Sequence, residues 1–294
     1  MNLISKYASL VKFPHTIFAM PFALMSFVYA LTEQHTEGIS ASEGWGFLLL
    51  QVVLCMVFAR NTAMGFNRWA DWRMDRENPR TAEREIPAGI ITPRQALYFV
   101  GANALLFLLT ASTINRLTAL LSPVALIVLL LYSYCKRFTA LAHLVLGLSL
   151  GIAPVGAYIA VTGQFAWAPC ILALLVMTWC GGFDIIYALQ DAAFDRANGL
   201  HSIPSRFSAR TALAISSTLH TVSTAALLWF TSYCPQSPVL WIGVGIFIGL
   251  LALQHLLVTP TRQSNIGIAF GTLNGLASLV LAVCVGIDLE AVLI

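Results

Sequence analysis

The chain has 294 residues, 58% of them hydrophobic and only 10% Asp, Glu, Lys or Arg, with a formal net charge of +3. Water-soluble domains carry about a quarter charged residues, so this composition excludes a chain whose whole surface faces water and points to one that faces lipid.

Runs of about 17 to 25 apolar residues are candidates for crossing a bilayer. Nine occur in chain order: 16–32, 45–64, 96–113, 117–134, 141–161, 168–187, 212–231, 239–258 and 265–287. The first is short and carries Pro21; no small-residue cleavage site follows it, so a retained span rather than a cleaved leader is expected. The six cysteines form no CxxC pair and mostly fall inside the runs, where a small apolar side chain is the ordinary reading. One all-α membrane domain over residues 1–294 is expected, with no nucleic-acid partner.

Between the runs the charges segregate. Lys6 and Lys12 precede the first run; Arg68, Arg73, Arg76, Arg80, Arg84 and Arg94 lie between the second and third. Lys136 and Arg137, then Arg196, Arg206 and Arg210, then Arg262, follow on the same side, whereas Glu33, Glu37, Glu43, Asp288 and Glu290 fall opposite. Positive residues stay inside, which predicts a cytoplasmic N-terminus, an outside C-terminus and a cell-membrane (inner-membrane) location. The two long charged connections, 66–95 and 188–211, are therefore predicted to be cytoplasmic. They follow runs two and six, a weak four-span repeat.

The first connection opens NRWADWRMD. Asn67, Asp71 and Asp75 stand at i, i+4 and i+8, one face of a helix. The second opens DIIYALQDAAFD, placing Asp184, Tyr187, Asp191 and Asp195 at i, i+3, i+7 and i+11, again one face. Stacked carboxylates repel unless a cation lies between them, and Mg²⁺ takes one or two carboxylates together with substrate phosphates. The bland alternative is a solvated helix end with ion pairs to the interleaved arginines; two motifs at matched places argue against it. Arg80 and Arg84, in the Pro-punctuated NPRTAEREIPAG, offer planar forks for phosphate. Lys136 follows Tyr132 by four residues and shares its face.

These residues resemble the UbiA superfamily of membrane prenyltransferases. Asn67–Asp75 is similar to its NxxxDxxxD motif, Asp184–Asp195 to its DxxYxxxDxxxD motif, and Tyr132–Lys136 to its YxxxK motif, in the family order and with the family's nine-span count. The resemblance implies nine transmembrane helices around a central cavity with a cytoplasmic cap. It implies that Asn67, Asp71 and Asp75 hold one Mg²⁺ and Asp191 and Asp195 a second. Arg80, Arg84 and Lys136 would bind the diphosphate of a polyprenyl diphosphate, and Asp184, Tyr187, Tyr132 and Lys136 would be catalytic. Lys12, where many members carry Arg, would meet the acceptor or the diphosphate. Within the superfamily the pattern is most similar to bacterial 4-hydroxybenzoate polyprenyltransferase homologues. KFPHTIFAMPFAL, FNRWADWRMD and FDRANGLHSIPSRF resemble the branch linked to menaquinone made by the futalosine route. The implied acceptor is an aromatic carboxylic acid, naphthoate-type or 4-hydroxybenzoate, in menaquinone or ubiquinone biosynthesis.

Phe66, Trp69, Tyr132, Trp179, Phe183 and Tyr187 could wall the allylic cation that such a reaction forms, though bundle packing is the plainer role for each alone. His143, His220 and His255 have no ligand-like spacing and read as packing residues; Asn274 reads as an interhelical hydrogen-bonding group. The rival of another class is a transporter using its acids for ion coupling, for which Gly151–Pro154 and Gly181–Gly182 would have to break their helices. A phosphotransferase acting on CDP-alcohols is disfavoured by the absence of its DG…AR pattern.

Overall fold

The computed structural model describes residues 3–11, 18–38 and 44–290. These fold as α1 (Leu3–Leu10), α2 (Met20–Thr36), α3 (Trp45–Glu77), α4 (Pro93–Ser112), α5 (Arg116–Cys135), α6 (Ala142–Thr162), α7 (Trp167–Ala188), α8 (Ala192–Ala197), α9 (Ile203–Arg206), α10 (Ala209–Thr231), α11 (Pro238–Leu257) and α12 (Asn274–Glu290). Among the described residues eight helices are long and apolar enough to cross a membrane, and the chain is a multi-pass, all-helical membrane protein. The ninth expected span is present but displaced: α2 begins at Met20, runs 17 residues and places Pro21 in its first turn, where a missing N–H costs no helical bond.

Two helices outrun the bilayer. α3 has 33 residues, about 50 Å at 1.5 Å per residue, against a hydrocarbon core of about 30 Å. Its last turns project as a rod carrying Asn67, Asp71 and Asp75. The second rod, Trp167–Ala197, bends: α7 stops at Ala188 and a 3₁₀ turn over Leu189–Asp191 leads into α8. Asp184, Tyr187, Asp191 and Asp195 still line one cavity, as their spacing predicts, although the 3₁₀ turn advances 120° per residue rather than 100° and spreads them around it.

In the bundle, α7 packs between α6 and α10, α3 against α4 and α5, and α2 against α6 and α12. The α6–α7 contact is close because Gly147 and Gly151, four apart, face α7: a Cβ on Gly147 would lie 2.1 Å from the Met177 carbonyl oxygen, and one on Gly151 2.8 Å from that of Ala173. Small residues at this spacing let helix backbones approach in lipid. Both α6 and α7 run unbroken through Gly151–Pro154 and Gly181–Gly182, so the interruptions a transporter reading needs are absent there.

Two polar clusters at depth join helices. Asn274 Oδ1 accepts from Trp179 Nε1 at 3.0 Å and Gln254 Nε2 at 2.8 Å, joining α7, α11 and α12. His220 Nδ1 lies 2.9 Å from His255 Nε2 between α10 and α11.

Candidate active site

The ends of α3, α5, α7 and α8 and the 78–84 loop enclose a polar cavity of about 280 Å³. Its lining contains all the metal candidates, Asn67, Asp71, Asp75, Asp191 and Asp195, together with Arg80, Arg84, Tyr132, Lys136, Asp184 and Tyr187. The expected residues therefore converge, except Lys12, which lies outside the described residues.

Each acid has a partner. Arg80 grips Asp191 with two bonds, Nε to Oδ1 at 2.8 Å and Nη2 to Oδ2 at 2.5 Å, and gives a third to the Tyr187 hydroxyl at 3.0 Å. Asn78 Nδ2 donates to the same Asp191 Oδ1 at 3.2 Å, and Asn78 Oδ1 accepts the Arg80 backbone N–H. Burial opposes the charge on Arg80, but the Asp191 hydrogen bond and the charges of Tyr187 and Asp191 outweigh it and hold the guanidinium above its usual value. Arg84 Nη1 reaches Asp75 Oδ1 at 2.6 Å. Arg137 Nη2 meets Asp71 Oδ1 at 3.1 Å and the Ala70 carbonyl at 2.7 Å. Asp195 Oδ2 accepts from Ser202 Oγ at 2.8 Å. The two arginines expected on a diphosphate thus rest on the acids that border its place.

Five acids (Asp71, Asp75, Asp184, Asp191, Asp195) and five bases (Arg60, Arg68, Arg80, Arg84, Lys136) line the cavity. The balance means that a multiply charged anion entering here must bring cations with it or displace carboxylates. Mg²⁺ fits the donor set: every candidate ligand offers oxygen, and Asp75 Oδ2 is buried with no hydrogen-bond partner. No three Asp, Glu, His or Cys side chains among the described residues converge enough to chelate an ion by themselves. That suits an ion that keeps water and phosphate oxygens as ligands.

The polar cavity adjoins an apolar one of about 470 Å³ between α3, α5 and α6; Arg60, Met64, Tyr132, Leu146 and Leu150 border both. The apolar cavity extends to Thr118 and Ile159 at the far ends of α5 and α6.

The aromatic wall differs from expectation. Tyr132, Phe183 and Tyr187 line the cavity, but Trp179 is in the bundle core, and Phe66 and Trp69 pack against each other, tilted, with ring centroids 5.4 Å apart. Phe18, Phe194 and Phe270 take their places. Phe270 sits in a π-helical turn, Ile268–Leu273, and its ring centroid lies 4.2 Å from that of Tyr187. Such turns recur at functional sites, but no sequence period announces them. Sequence reasoning also passed over Arg60, Asn78, Arg137 and His143, whose roles depend on which loop or helix end lies opposite.

Comparison with known proteins settles the family. The model of the UbiA prenyltransferase family matches residues 19–286. The chain belongs to the UbiA prenyltransferase family. It is accordingly an enzyme of the prenyl-transferring class. Among curated UbiA relatives, a 4-hydroxybenzoate octaprenyltransferase of Polynucleobacter asymbioticus is 29% identical over 79% of this chain and 80% of its own length. That of Photobacterium profundum is 34% identical over 53% of this chain, a match that spans about half (54%) of the relative's length. The apo structure of a UbiA homolog from Aeropyrum pernix K1 superposes with a TM-score of 0.77 at 26% identity, covering 95% of this chain and 98% of that one. A homolog from Archaeoglobus fulgidus, solved with GPP and Mg²⁺, shares the fold (TM-score 0.67, 19% identity, 93% and 99% coverage).

Proposed function

We propose that this chain transfers a polyprenyl group from polyprenyl diphosphate to an aromatic carboxylic acid, naphthoate-type or 4-hydroxybenzoate, in quinone biosynthesis. The cavity would open to the cytoplasm from the bacterial inner membrane, with the N-terminus on the same side, a reading that the segregation of basic residues supports. The observation that carries the reading is the junction of a charge-balanced polar cavity with a long apolar one at Arg60 and Tyr132. A molecule with an ionic head and an isoprenoid tail matches both halves. The relatives' 4-hydroxybenzoate activity and the Mg²⁺ and GPP of the Archaeoglobus homolog support it.

Asn67, Asp71 and Asp75 on one side and Asp191 and Asp195 on the other would hold Mg²⁺. When bound, Mg²⁺ neutralises the departing diphosphate and eases cleavage of the allylic C–O bond. Arg80 and Arg84 would exchange their carboxylates for diphosphate oxygens, joined by Lys136. Tyr187, Phe183, Phe270 and Tyr132 would shield the allylic cation from water and face it with π density. The tail would lie in the apolar cavity. Arg60, at the junction, would meet the acceptor's carboxylate. Attack by the ring carbon forms the C–C bond, the diphosphate departs with the C–O electron pair, and Asp184 takes the ring proton.

The test is an assay of purified enzyme in lipid with geranyl diphosphate, Mg²⁺ and a mixture of 4-hydroxybenzoate and dihydroxynaphthoate. A C-prenylated acid and released diphosphate are expected in equal amounts. Uptake of an ion with no diphosphate release would instead identify a transporter.

A further inference from the structure

We propose that His143 is a positioning residue for Asp184, fixing the carboxylate that receives the acceptor's proton; this rests on the reading of Asp184 as that base. His143 stands in the first turn of α6, fully buried. Its Nδ1 lies 2.6 Å from Asp184 Oδ2 on α7. Its Nε2 lies 3.3 Å from the backbone nitrogen of Ile203. A backbone N–H can only donate, so Nε2 accepts there, and the ring proton sits on Nδ1 and is given to Asp184. One imidazole therefore has both nitrogens committed, and its tautomer is set by the loop. The Asp184 side chain is 18% exposed and borders the polar cavity.

Two independent features hold this arrangement. The first is the α6–α7 contact: His143, Gly147 and Gly151 form one i, i+4, i+8 ridge, and the two glycines let α6 approach until the imidazole reaches the carboxylate. The second is the segment 201–203. Its Ile203 N–H holds His143, its Ser202 hydroxyl holds Asp195, and its His201 N–H donates to the Lys136 carbonyl at 2.6 Å. Three consecutive residues thus tie the acceptor-side carboxylate to a metal candidate and to the base of the diphosphate lysine. A group that fixes a base's orientation without touching substrate changes turnover more than donor binding.

Two substitutions dissect the imidazole. In His143→Asn the amide nitrogen occupies the place of Nδ1 and can still donate to Asp184. In His143→Gln the amide reaches the place of Nε2, so the Ile203 bond survives and the Asp184 bond does not. Steady-state kinetics with geranyl diphosphate and 4-hydroxybenzoate, and in parallel dihydroxynaphthoate, read the outcome. His143→Gln is expected to lower kcat about 10- to 100-fold, the worth of one hydrogen bond to a charged group, with the KM for geranyl diphosphate within about 2-fold. His143→Asn is expected to recover kcat to within about 3-fold of the unaltered enzyme. Equal activity of both variants, whether full or lost, or an active Gln beside an inactive Asn, overturns the proposal. Asp184→Asn separates the two readings. If it is inactive while His143→Gln turns over fully, only the role of His143 fails; if Asp184→Asn itself turns over fully, the base assignment fails.

Discussion

The two Asp motifs share an Asp-x-x-x-Asp spacing and are held differently. The first lies on the uninterrupted α3, so Asn67, Asp71 and Asp75 form a rigid ladder whose spacing is that of the helix itself. Its acids receive cations from outside the ladder: Arg137 from the end of α5 and Arg84 from the loop that follows. The second motif crosses a 3₁₀ turn. Asp191, at the end of that turn, meets Arg80 and Asn78, whereas Asp195, one turn later on α8, meets the hydroxyl of Ser202. A straight helix gives a fixed ladder; a broken one lets neighbouring acids aim at different partners.

That contrast can be broken at several points. The largest effect is expected from removing one metal-candidate carboxylate from either motif. Asp71→Ala and Asp191→Ala should each lower prenyl transfer by about 10³-fold or more, measured with saturating Mg²⁺ in lipid vesicles. Chelating divalent cations should abolish turnover, and adding back Mg²⁺ should restore it, because the balanced lining cannot neutralise a diphosphate unaided. Arg80→Lys should cost about 10- to 100-fold, since a point charge replaces the fork that grips Asp191. Arg137→Lys, whose one bond to an acid is the longer 3.1 Å contact with Asp71, should cost less than about 10-fold in the same assay. A ratio near one between those two variants would erase the distinction between the motifs. Ser202→Ala should lower the rate by about 10-fold, the low end of the worth of one hydrogen bond to a charged group. Away from both motifs, Asn274→Ala should leave catalysis nearly unchanged while destabilising the bundle by about 1–2 kcal/mol, read from thermal unfolding in detergent.

Much of this was legible in the sequence because lipid imposes long apolar runs and acids are conspicuous beside them. The boundaries of α4 through α7 agree with the runs to within a few residues, and the ladder on α3 follows from its spacing alone. What was not legible depends on who lies opposite. Arg80 and Arg84 carried the right chemistry, but nothing in NPRTAEREIP says that they rest on Asp191 and Asp75. His143 sits in an apolar stretch with no ligand spacing, and its partner is 41 residues away on another helix. Phe270 reaches the cavity through a π turn, and the 3₁₀ turn at 189–191 interrupts a pattern that reads as continuous. Trp69 carried the right ring but packs in a cluster with Leu10 and Ile86.

The overhang of α3 has a consequence for the surroundings rather than the site. One unbroken rod carries both the apolar span and the first ladder, so the distance from that span to Asp71 is fixed by the helix and not by a hinge. A thicker membrane must tilt this rod or swallow part of it, drawing the carboxylates toward the acyl chains; a thinner one lifts them clear. The lipid would thus act as a ruler laid against the enzyme, and activity is expected to vary with the thickness of the host bilayer.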